Sequence, residues 1–98
     1  MMNREDFIFT VGFQGYDPII DKKAQKVHGK KSTGELLEAG LWKPAFCSAL
    51  YEGSMEQMEE VLKRYNETNP RTYDSVEDLK RLFGVFSVPE TLGKIKKL

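Results

Sequence analysis

The chain has 98 residues, 40% hydrophobic and 11% aromatic, a length near the commonest size of one domain and too apolar a composition for a disordered segment. Its 15 basic and 15 acidic side chains cancel, which removes the usual electrostatic footprint of nucleic-acid binding unless the charge is segregated. One cysteine, Cys47, excludes an internal disulfide and a cysteine-based zinc site.

The charge is mildly segregated, with basic ends flanking an acidic middle. No apolar run follows Met1–Asp6 and no stretch approaches the ~20 apolar residues that cross a bilayer. The expectation is a cytoplasmic protein without a signal peptide or membrane contact. No repeat or composition shift divides the chain, so residues 1–98 read as one domain, strand-rich over 6–21, helical over 32–84, with a strand or helix tail over 85–98.

Phe7–Phe13 reads as the first strand, because Phe7, Phe9, Val11 and Phe13 alternate onto one face. Three aromatics on that face require cover from helices or a partner. Gln14–Pro18 breaks the run with turn formers. The next segment supports two readings. Asp17 and Pro18 open a helix with Ile20, Ala24 and Val27 on one stripe and Gly29 as its stop, or Pro18–Asp21 is a second strand hairpinned to the first, with Lys22–Lys31 as a loop or further strand.

From Ser32 the signals are cleaner. Ser32 and Glu35 form a capping box ahead of a short helix that carries Leu36 and Leu37 and stops at Gly40. Pro44 suits the first turn of a helix that turns Phe46, Ala49 and Leu50 inward and closes at Gly53. Ser54 and Gln57 repeat the capping box before a helix with Met55, Met58, Val61, Leu62 and Tyr65 on one face. Its outer face pairs Glu59 with Lys63 and Glu60 with Arg64. Ser75 caps a helix with Val76, Leu79, Leu82 and Phe83 inward, ending at Gly84. Val85–Val88 suggests a short strand beside the first. The tail is either a helix capped by Ser87, with Leu92, Ile95 and Leu98 on one side, or an extended end.

The fold class that follows is α+β: a small two- or three-stranded antiparallel sheet packed against three or four amphipathic helices.

No residue set carries recognisable chemistry. Cys47 needs a partner to become a nucleophile, and nothing in the spacing brings the single histidine, His28, to it; its place on an apolar helix suits a small buried hydrophobe. His28, among five lysines, reads as an exposed surface residue without a second metal ligand. Glu56, Glu59 and Glu60 read as a solvated helix face. Gly12 and Gly15 lack the rest of a phosphate-loop motif. No catalytic residue, metal or cofactor is expected.

Residues 33–50 match a helix-turn-helix in spacing, with Gly40 at the turn. The second helix presents Lys43, Ala45, Cys47, Ser48 and Tyr51, followed by Glu52 and Glu56, a poor surface for a duplex. A lysine cluster including Lys22, Lys26, Lys30 and Lys31 could supply phosphate contacts instead. Trp42, in the turn, serves as a lid on the core or as an anchor for a partner. The leading expectation is a small non-enzymatic interaction or regulatory protein that binds a protein partner or itself. The alternatives are a nucleic-acid-binding domain, and a ligand-binding domain or enzyme around Cys47 and Trp42.

Overall fold

The first element is a helix, not a strand: the Asn3 side chain accepts from the Asp6 backbone N–H and caps helix α1, Arg4–Ile8. Glu5 and Asp6 sit in the first turn, where acids complement the helix dipole. The computed structural model describes residues 2–90 and 93–98. The expected strand at Phe7–Phe13 is therefore corrected. Phe7 and Ile8 are buried from the helix, and only β1, Thr10–Gln14, is extended. The alternating aromatics misled because burial of Phe7 and Phe9 is as well served by a helix end as by a pleat. Phe7 and Phe9 are 4% exposed, but Val11 and Phe13 are 53% and 47% exposed, so the supposed common face is divided.

β1 pairs antiparallel with β2, Asp17–Ile20, with an irregularity at Val11. Gly15 takes φ 64 at the first position of the two-residue turn, where a type II′ hairpin needs glycine. The hairpin reading holds for Pro18–Ile20, and the helix proposed from Pro18 is corrected: α2 is Lys22–His28, capped by the Asp21 side chain accepting from Ala24. Lys22–His28 is thus neither loop nor strand. Ile20 is fully buried, whereas Val27 is exposed.

The sheet order is β1-β2-β3, and its third strand is Lys96–Lys97, parallel to β2. The pairing is mixed, which corrects the purely antiparallel expectation. Val85–Val88 forms no strand, and the described residues after Pro89, 90 and 93–98, form no helix; Leu92, part of the expected stripe, lies outside the described residues. The tail is instead fastened to the hairpin: Gly93 donates its N–H to the Tyr16 carbonyl at 2.7 Å and Lys94 donates to Asp17 Oδ1 at 2.6 Å.

The helical half follows its local signals. α3, Thr33–Glu38, carries the full Ser32–Glu35 capping box. α4, Trp42–Tyr51, follows Gly40, and α5, Met55–Thr68, is capped by Ser54. There the box is half made, because Gln57 Oε1 accepts from the Thr33 hydroxyl rather than from its own cap. Met55 is exposed and leaves the expected inner stripe. On the outer face Glu60 pairs with Arg64 at 3.3 Å, while Glu59 and Lys63 form no ion pair among the described residues. Asn66 holds Tyr73 by both backbone groups, turning the chain into α6, Val76–Phe83, where Leu82 is also exposed.

Among the described residues there are thus six helices, more than the three or four expected, since the sequence pattern puts the end of α1 in a strand and leaves the α2 segment between helix and hairpin. α4 is central, packing on α1, α3 and α5. It buries Ala45, Phe46, Cys47, Ser48 and Ala49 in succession, more than a full turn and so on every side. Removing a large side chain such as Phe46 from water is worth about 1.5–3 kcal/mol.

Candidate functional site: the open edge of the sheet

β1 is an edge strand, with β2 on one side and no strand on the other among the described residues. Edge strands present unpaired backbone N–H and C=O groups and are commonly blunted by charge or cover. This one carries exposed Val11 and Phe13 instead, and Phe86, 59% exposed, lies across from them. Between β1 and the Gly84–Pro89 segment runs a groove of about 380 Å³, a size within the range of ligand sites. Its lining is aromatic, from Phe7, Phe13, Phe83 and Phe86, and includes Lys43 and Cys47 of α4. The local cause is the left-handed cap at Gly84, φ 69, which ends α6 and sends the chain past β1 without pairing to it.

Lys43 is the charged side chain of this groove. It is half-buried and, like the lysines of residues 22–31, makes no ion pair among the described residues. It also borders a second hollow, of about 240 Å³, with Thr10, Val11, Asp21 and Pro44. Cys47 is 1% exposed. Burial pushes its thiol up to about 12, with the Lys43 ammonium pulling weakly the other way. A thiol so held is protonated at neutral pH and a poor nucleophile.

The residues singled out from sequence fall on separate elements. Lys22 and Lys26 stand on the outer side of α2, Lys30 is exposed and Lys31 half-buried in the turn that follows; none of the four has an ion pair among the described residues. Trp42 packs edge-on against Tyr65 at 5.7 Å and takes no part in the groove that Cys47 lines. Its indole joins a chain of rings, since Tyr65 also meets Phe83 at 6.2 Å and Phe83 meets Phe46 at 5.6 Å. His28, read as an exposed surface residue, is half-buried with Nδ1 lacking a hydrogen-bond partner. The helix that would enter a major groove in the helix-turn-helix reading is α4, the core helix, and it has no free face to offer.

Sequence reasoning named Val11 as a strand residue and Lys43 as an outward helix residue, but assigned neither, nor Phe86, to a binding site. The available signal was the alternation around Val11 and Phe13, which identified a strand but not which of its edges would stay open. Compared with known proteins, the chain matches no family model, no curated protein and no solved structure.

Proposed function

We propose that the chain is a non-enzymatic interaction protein of the cytoplasm, and that its partner, another protein or a second copy, docks along the outer edge of β1. One observation carries this reading: an unpaired edge strand with Val11 and Phe13 exposed beside an aromatic groove. Addition of a strand to such an edge supplies main-chain hydrogen bonds, with pockets for alternate side chains. The protonated Cys47 thiol, buried in α4, weighs against a nucleophilic enzyme. No described helix is long and apolar enough to cross a membrane.

The test has two arms. Sedimentation of the wild type and Phe13→Lys measures self-association, and selection from a display library of random octapeptides measures binding to other chains. The reading expects self-association or peptide enrichment that Phe13→Lys, folded by circular dichroism, loses. A strict monomer with no peptide enriched over Phe13→Lys removes it.

Lys22 and Lys26 of α2, with Lys30 and Lys31 just after it, favour a second reading. None of the four has a carboxylate partner among the described residues, and such lysines suit a phosphate backbone. Titration of a labelled duplex at about 50 and about 200 mM salt decides it, because phosphate contacts weaken steeply over that interval. Absence of binding at the lower salt rules it out.

A further inference from the structure

We infer that the β1 groove selects an extended peptide carrying an acidic side chain two positions from a large apolar one, with the carboxylate taken by Lys43. The inference rests on the reading of β1 as a docking edge and names the chemistry of the partner.

The argument is one of complementarity. The groove walls are aromatic, and an apolar side chain entering between Phe13, Phe83 and Phe86 fills them. Lys43 lines the groove together with Thr10 and Val11, half-buried and without an ion pair among the described residues. An incoming carboxylate gives this ammonium a charge-assisted hydrogen-bond partner. In a strand added to β1, residues two apart point to the same face, roughly 6.5–7 Å from one another. Lys43 lines the same groove as Phe13, Phe83 and Phe86, so one such pair would set its apolar member among the rings and its carboxylate toward the lysine. The opposite arrangement, a basic residue at that position, places like charges together and is rejected.

A second copy is a weaker occupant on the same grounds. β1 itself, Thr10–Gln14, contains no acidic residue, so a β1-to-β1 pairing brings no carboxylate within the paired strands to Lys43.

The experiment selects the same octapeptide library on the wild type, Lys43→Gln, Lys43→Glu and Phe13→Lys. Expected on the wild type is enrichment of Asp or Glu two positions from Phe, Leu or Ile. A synthetic peptide of the enriched sequence should bind Lys43→Gln about tenfold more weakly, bind Lys63→Gln as the wild type, and lose affinity with salt. Lys43→Glu should select Lys or Arg at the acidic position. Enriched sequences without an acid, or equal affinity for Lys43→Gln, overturn the inference and leave the docking edge standing. A wild-type dimer that Phe13→Lys abolishes assigns the groove to a second copy and also overturns it. No enrichment over Phe13→Lys in a monomeric wild type removes the docking edge itself.

Discussion

Arg4 Nη2 donates to Ser48 Oγ at 2.8 Å, joining the first turn of α1 to the fully buried middle of α4. The same guanidinium donates to the carbonyls of Gly29 and Lys31, so it ties the end of α2 to the core. Ser48 Oγ lies 2.7 Å from Thr33 Oγ1, which donates onward to Gln57 Oε1 at 2.8 Å. One polar chain thus links α1, α3, α4 and α5, and every member is satisfied by another.

Arg4→Ala should therefore destabilise the fold by about 2–3 kcal/mol, the scale of losing hydrogen bonds from a charged donor to partly buried acceptors. Arg4→Lys should rescue little, because an ammonium cannot match the guanidinium fork. Urea denaturation of both variants checks this, and a loss below about 0.5 kcal/mol in Arg4→Ala would show that the chain of bonds is incidental.

Cys47 makes stability depend on alkaline pH. Its folded value, about 12, lies above the ordinary thiol value of 9.0, so the unfolded chain releases the proton first. The contribution is complete below pH 9 and is lost as pH rises from there toward the folded value. The slope is about 1.4 kcal/mol per pH unit. Comparing unfolding of the wild type and Cys47→Ala from pH 8 to about pH 10.5 isolates the thiol from lysine and tyrosine titration. Parallel curves would refute the buried protonated thiol.

Removing the Ser32 cap should cost about 1 kcal/mol in Ser32→Ala. Hydrogen bonds from the Ser32 backbone and hydroxyl hold the Glu35 carboxyl below its ordinary value. That contribution is present above the unfolded value and disappears as pH falls through the folded one. Ser32→Ala removes the hydroxyl but keeps the backbone N–H, the larger cause, so it should flatten the acid limb of the stability profile only in part, whereas Glu35→Gln should remove that contribution. Acid unfolding monitored by circular dichroism checks both effects, and an unchanged limb would contradict the assignment.

Gly93 is packed so closely on the Asp17 carboxylate that an added Cβ would collide with it. Gly93→Ala should displace the Asp17 side chain, break its bond to the Lys94 N–H and loosen β3. Amide exchange reads this at Leu98, whose N–H donates to the Ile20 carbonyl at 3.0 Å. Faster exchange there with α4 unchanged is expected. Retained protection at Leu98 would mean that the tail is held by β2 alone.

The sequence by itself determined the helical half. Ser32, Ser54 and Ser75 each accept a hydrogen bond three residues ahead, and Gly40, Gly53 and Gly84 take positive φ. These signals act between neighbours, so they survive whatever the rest of the chain does. Leu36, Phe46, Val61 and Leu79 were legible as core for the same reason, through their periodic spacing. The tertiary structure alone decided the sheet and the candidate site. Phe7 alternates like a strand residue, yet it ends in a helix because the Asn3 cap and the core contacts outweigh a short pleat. Lys96 and Lys97 carry no strand pattern, and they pair with Ile19 and Ile20 because Gly93 and Lys94 are pinned to the distant hairpin. Lys43 gained its meaning only when β1 was left open beside it. Contacts between residues far apart in the chain depend on how elements pack, and no local spacing records that.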